Sequence, residues 1–248
     1  INIPKAGYEN KVFYVWFDAP IAYISMTMAW AKQQGHDDDW QQWWQPEDPK
    51  SVHYSQFMAK DNVPFHAIFW PAMLLGTRQP WKMVDMIKSV NWLTYEGGKF
   101  STSQQRGVFT DVALNLFPAD YWRYYLCSIA PESSDADFNF NHFAQSINKD
   151  LADTLGNFVG RVTALLDRHC GGHLPNIKQH QIPEKLQQQC QQILQNIYQA
   201  FRDLKLRAAT QALKSLWMLG NEYITLEQPW TVIKKNPEYA KATLYNCV

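Results

Sequence analysis

Apolar and polar residues change rhythm about halfway along the chain. In the first half the apolar runs are short and rich in β-branched and aromatic side chains, the pattern of buried strands. Val12 to Phe17 predicts one such strand. Asp18-Ala19-Pro20 closes it, because proline cannot donate to a sheet ladder and disfavours helix at the residue before it. Ile21 to Gln34 predicts a helix that stops near Gly35. Val52 to Met58 alternates and predicts a second strand. Phe65 to Leu75 predicts a helix broken early by Pro71, and Ile87 to Trp92 a third strand, followed by a loop from Thr94 to Ser103. Strands alternating with helices predict an α/β sheet.

The second half has only helical periods from Phe140 onwards. Leu151, Leu155, Phe158, Val159, Val162, Leu165 and Leu166 share one helical face, and Gly171-Gly172 end that helix. Glu184–Gln199 and Phe201–Tyr223 predict two more helices, with the glutamines around Gln187–Gln192 on a solvated face. Pro229 and Pro237 stand where helices start, with Asn236 as an N-cap. The fold expected is therefore α/β followed by all-α. A strand-forming run close to a non-Met start and a helix running to Val248 suggest a piece of a longer protein.

Composition narrows the class. The chain has 248 residues, 46% hydrophobic and 19% charged, which fits a globular protein. No apolar run is long enough for a membrane span, and no leader pattern precedes the first strand. The four cysteines, Cys127, Cys170, Cys190 and Cys247, form no CxxC pair, and His169-Cys170-Gly171-Gly172-His173 matches no standard zinc spacing. No metal site is expected, and a reducing, cytoplasmic compartment fits. The net charge is zero, but residues 1–150 carry −4 and residues 151–248 carry +4. The second part is the candidate for a polyanion partner.

Four patches carry chemistry: Tyr14 to Ser25 (YVWFDAPIAYIS); Lys60-Asp61 with Phe65 to Leu74 (FHAIFWPAML); Gly98 to Ser103 (GKFSTS); and Asn221 to Ile224 (NEYI) with Gln228-Pro229-Trp230. In the third, Lys99 supplies a cation, Ser101, Thr102 and Ser103 supply short donors, and Gly97-Gly98 supply conformational freedom. Such a loop suits phosphate. On the helix over residues 151–166, steps of about 100° place Asn157, Arg161 and Arg168 in one polar stripe off the packed face.

Together these patches resemble the methionyl-tRNA synthetase family of class I aminoacyl-tRNA synthetases, from about Val12 to Lys235. KFSTS is similar to the class I KMSKS loop, in the KFS form typical of archaeal- and eukaryote-type enzymes. The resemblance implies the C-terminal part of a Rossmann-type catalytic domain over 1–115, a stem-contact and linking segment over 116–150, and an anticodon-binding helical bundle over 151–248. The family's HIGH motif does not occur in the 248 residues. The resemblance implies that Trp16, Pro20, Tyr23, Asp61, Phe65, His66 and Trp70 bind methionine, with Asp61 facing the substrate amino group or ribose. It implies that Lys99 acts in catalysis and binds ATP with Ser101, Thr102 and Ser103, and that Asn157, Arg161 and Trp230 read the anticodon. Substrates and partners implied are L-methionine, ATP with Mg²⁺, and methionine tRNA with anticodon CAU; the piece itself is expected to be a monomer and inactive alone.

The loop departs from the family pattern. Thr102 stands where a second lysine is usual and Gln104 where arginine commonly follows, so either Lys99 carries more of the work or Arg106 swings in. Two other readings stay open: a synthetase for another apolar amino acid, against which VWFDAP argues, and a non-catalytic tRNA-binding module.

Overall fold

The computed structural model describes residues 2–17, 19–177 and 182–248. They form two compact units, Ile1–Asn91 and Trp92–Val248.

In the first unit, helix α1 (Ala22–Gln33) and the short α2 (Gln41–Trp44) precede strand β1 (Ser55–Ala59). A π-turn, Phe65–Phe69, runs directly into α3 (Trp70–Gly76), and strand β2 (Met86–Val90) then pairs parallel with β1, Ser55 opposite Met86 and Ala59 opposite Val90. This is a strand–helix–strand crossover, the arrangement a parallel pair requires. Ile24, Trp44, Trp70 and Leu74 form its core.

Two sequence expectations change here. Val12–Phe17 is not a strand: Val12 makes a single antiparallel bridge to Asn2, and Val15–Phe17 is a 3₁₀ turn. The run has β-forming side chains, but a strand also needs a neighbour for its backbone groups, and the sheet of this unit contains β1 and β2 alone among the described residues. Nor does Pro71 break its helix. Proline removes a donor and crowds the carbonyl four residues back. The turn before it is the wider π form, with the Trp70 N–H bonded to the Phe65 carbonyl, and the helix continues through Pro71 to Gly76 from that altered turn.

The second unit opens with β3 (Leu93–Tyr95), parallel to β4 (Ala136–Phe138), and between them lie α4 (Thr110–Leu116) and α5 (Ala119–Ser128). Trp122, Tyr125, Phe138 and Phe143 fill the space beneath, Trp122 stacked on Phe143 at 4.6 Å. The Trp122 indole N–H donates to the Ala113 carbonyl, so the buried polar atom is paired.

From Phe140 the chain is one continuous helix: α6 (Phe140–Ser146), a π segment Ile147–Gly156, and α7 (Asn157–Cys170). It ends at Gly171 in the left-handed conformation, as its sequence predicts. Val162, Leu165 and Leu166 are buried, but Val159 is exposed. A wheel begun at Leu151 with constant 100° steps loses phase in the π segment, whose turns are wider. Helices α8 (Glu184–Arg202) and α9 (Leu206–Glu227) follow as a hairpin, then α10 (Pro229–Val232) and α11 (Pro237–Asn246). Asn236 caps α11 by accepting from the Tyr239 N–H at 3.1 Å. The glutamines of α8 face solvent. Ile224 and Leu244 pack on Val162, Leu165 and Leu166 as a second core.

Candidate functional site

Three groups of side chains carry the chemistry singled out in the sequence. The first is aromatic and lies in unit 1. Trp16 stacks on Phe65 at 5.1 Å and 16°, and its ring lies 6.2 Å from that of His66. The Tyr23 hydroxyl and His66 Nε2 are 2.8 Å apart, and His66 Nδ1 lies 2.9 Å from the Asn62 carbonyl. A carbonyl can only accept, so the proton sits on Nδ1 and Tyr23 donates to Nε2. The buried imidazole is thereby fixed in one tautomer, with both nitrogens satisfied. Pro20, buried, sits one turn before Tyr23, and Asp61 is exposed on the 3₁₀ turn Lys60–Asn62. Trp70, one helical turn beyond His66, points into the core, and its indole N–H has no partner among the described residues. Trp16 thus meets Phe65 and His66, and His66 meets Tyr23, while Trp70 packs in the core with Ile24, Trp44 and Leu74.

The second group is the loop after β3. Glu96 and Gly97 both have positive φ, 46° and 73°. Tyr95 and Gly98 exchange backbone hydrogen bonds across this turn, and Ser101 and Arg106 exchange two more across the next. Lys99 stands exposed on the short stretch between, with Ser101 half-buried and Thr102 and Ser103 exposed at the tip. Side chains from outside fix the base. Asp137, on β4, accepts from the Thr94 hydroxyl at 2.5 Å and the Gly97 N–H at 3.0 Å. These bonds, with the charges of His142 and Arg106, hold its carboxyl below the usual range. Glu96 accepts from the Asn139 amide and the Phe140 N–H. Arg106 donates to the carbonyls of Tyr95 and Glu96 at 2.8 and 3.1 Å and covers the Tyr95 ring. The glycine pair therefore serves shape more than freedom. Gly97 takes the left-handed turn, and a Cβ on Gly98 would lie 2.6 Å from the Arg106 guanidinium. Arg106, which the sequence offered as a cation that could swing in beside Lys99, is bonded in the structure to the loop's own backbone.

The third group lies on the helices. Asn157 is exposed on the first turn of α7, with Arg161 one turn on. The Arg161 guanidinium covers the Trp230 ring at 4.9 Å and donates to the Thr225 hydroxyl at 3.2 Å. Pro229, fully buried, roots Trp230 at the start of α10, while the indole itself is exposed. Asn221, from the NEYI patch, donates to the Thr154 and Trp217 carbonyls and so binds α9 to the π segment.

Sequence reasoning missed the polar fittings: Asp137, Glu96, Thr225 and the placement of Arg106. Asp137, Glu96 and Thr225 each bond a group about 40 or more residues away, and Arg106 bonds back across its own loop, so no helix or strand period announces them. The missed ion pair of Asp150 with Lys214, at 2.6 Å, is of the same kind. Burial, and then the Asp150 carboxylate beside it, hold the Tyr124 phenol well above its usual range.

Comparison with known proteins places this geometry in a family. A family model described as tRNA synthetases class I (M) matches residues 1–163, and one described as the anticodon binding domain of methionyl tRNA ligase matches residues 175–247. The chain is 50% identical over 244 residues to a methionine–tRNA ligase of Streptomyces avermitilis, covering 97% of this chain and 42% of the relative. It is 48% identical over 249 residues to methionine–tRNA ligase 1 of Acaryochloris marina, covering 100% of this chain and 44% of the relative. The chain thus spans less than half the length of these relatives. The fold is shared with Mycobacterium tuberculosis methionyl-tRNA synthetase solved in complex with methionyl-adenylate. The TM-score is 0.77 at 22% identity, over 100% of this chain and 47% of that one. A catalytic-domain match over two thirds of the sequence, joined to an anticodon-domain match over most of the rest, shows that the chain belongs to the methionyl-tRNA synthetase family of class I tRNA synthetases.

Proposed function

We propose that this chain is the part of a cytoplasmic methionine–tRNA ligase that carries the KMSKS-like loop, part of the methionine pocket and the anticodon reader. Functionally we divide it as 1–115, 116–150 and 151–248. In the whole ligase the methionine carboxylate attacks the α-phosphate of ATP, the bond to pyrophosphate breaks, and the terminal ribose hydroxyl of the tRNA then displaces AMP. No covalent group from the protein is needed, so its work is positioning and charge neutralisation. Lys99 would neutralise the departing pyrophosphate, with Ser101, Thr102 and Ser103 donating to phosphate oxygens. Trp16, Pro20, Tyr23, Phe65, His66 and Trp70 would hold the methionine side chain, since a thioether packs well on aromatic rings; Asp61 would meet the amino group or ribose. Among the described residues no group of three His, Cys, Asp or Glu side chains could hold a metal ion. Mg²⁺ would arrive on the phosphates of ATP, and no step is assigned to a protein-bound metal.

The observation that carries this reading is the Arg161–Trp230 pair, its indole exposed, one helical turn from Asn157, in the stretch 151–248 that carries +4. An amide and a guanidinium can bond base edges of an unpaired loop, and a rooted indole can stack a splayed base, worth about 1–3 kcal/mol. The test is a double dissociation in the longer ligase. Lys99→Ala should cut methionine-dependent pyrophosphate exchange by about 10²-fold or more with little change in methionine affinity. Trp230→Ala should spare that exchange and weaken aminoacylation of methionine tRNA. Equal losses in both assays for both variants would overturn the division of labour.

A further inference from the structure

Between Tyr95 and Gly107 the sequence holds two cations, Lys99 and Arg106. A tRNA ligase loop with two missing positive charges invites the idea that the second cation substitutes for them at the phosphates. The geometry points elsewhere. One guanidinium nitrogen of Arg106, Nη2, donates to both the Tyr95 and the Glu96 carbonyl, at 2.8 and 3.1 Å, so the side chain is turned back onto the loop's own backbone. Those carbonyls belong to the tight turn with two successive positive φ angles, and the arginine's own backbone is tied to Ser101 on the other side of Lys99. The guanidinium also lies 5.7 Å above the Tyr95 ring, which in turn packs on Phe100 at 5.4 Å. Lys99 therefore sits between two points that Arg106 fixes, one through its side chain and one through its main chain.

We infer that Arg106 is a positioning residue for Lys99: it clasps the turn at 95–98 and sets where the Lys99 ammonium stands, without touching the nucleotide. This rests on the proposed role of Lys99 at the pyrophosphate. A cation held in place acts on the transition state without reorganising, and a displacement of about 1 Å can cost up to about 10²-fold in rate. The Gly98 requirement follows from the same clasp. Its φ is not in the left-handed region, so alanine fits the backbone there; its Cβ would meet the guanidinium at 2.6 Å. Gly98→Ala thus displaces the clasp and keeps the charge.

The experiment pairs Arg106→Gln with Gly98→Ala. In this 248-residue chain, amide exchange at Gly98 and Tyr95 should quicken in both variants, while exchange in the helical cores stays as it was. In the longer ligase, both should lower kcat for pyrophosphate exchange by about tenfold or more, with the methionine and ATP KM values within about twofold. Loosened amides with unchanged kcat would overturn the positioning role. A loss in Arg106→Gln alone, with a raised KM for ATP, would overturn it in favour of direct phosphate contact. Lys99→Ala in the same assay separates the two ideas: if it is harmless while both clasp variants are slow, the assignment of Lys99 fails and the clasp acts through another group.

Discussion

The Lys99 loop and the Arg161–Trp230 stripe both present a cation to solvent, but they are held by different forces. The loop is a backbone shape fixed by polar side chains: Arg106 on two carbonyls, Asp137 on the Gly97 N–H and Thr94, and Glu96 on Asn139 and Phe140. The stripe is a pair of helices fixed by burial, with Ile224, Leu244 and Val162 almost wholly excluded from solvent beneath it. Exposed polar bonds are weak one by one and can be rearranged, which suits the phosphate-meeting loop proposed above. Buried apolar contacts give a fixed surface, which suits the proposed base reader.

The contrast breaks most visibly in the core. Ile224→Ala removes a side chain with no exposure, and should cost about 2–5 kcal/mol in chemical denaturation of the helical unit, with its helical signal falling in the same transition. A cost under about 1 kcal/mol would mean that the second core is not what holds the stripe.

A smaller, local effect should appear in acid. The Asp137 carboxyl is depressed, first by the Thr94 hydroxyl and then by the Gly97 N–H. Its contribution to the loop is complete above the unfolded carboxylate value of about 3.9 and is lost as pH falls through the lower folded value. Protection of the Gly97 amide should therefore drop below about pH 4 while the helices, held by burial, keep their far-ultraviolet signal. A Gly97 amide whose protection does not change with pH would remove Asp137 from the loop's support.

What could be read in the sequence divides along the same line. The helical core was legible because burial repeats every three to four residues, and its ends because Gly171, Pro229, Asn236 and Pro237 act locally. The strands β1 and β2 lie close to the runs Val52–Met58 and Ile87–Trp92 that predict them. The three-residue β4 is too short to show a period, and α4 and α5 are interrupted by Pro118. Val12–Phe17 failed as a strand because propensity does not provide a partner. Of the candidate residues, the motifs placed Trp16, Tyr23, Phe65 and His66 together and Arg161 with Trp230. They did not show that Trp70 turns inward, which depends on contacts across the fold, or that Arg106 bonds backward, which depends on how its loop is turned.

The most direct measurement is a titration of this 248-residue chain with two RNA hairpins that share a stem and differ only in the loop, one carrying CAU and one with its first loop base changed. The chain should bind the CAU hairpin about tenfold or more tightly, and Trp230→Ala should bring the two affinities together by losing about 1–3 kcal/mol on the CAU hairpin alone. Equal affinities for the two hairpins in the unsubstituted chain, or an unchanged ratio in Trp230→Ala, would contradict the assignment of Asn157, Arg161 and Trp230 as the anticodon reader.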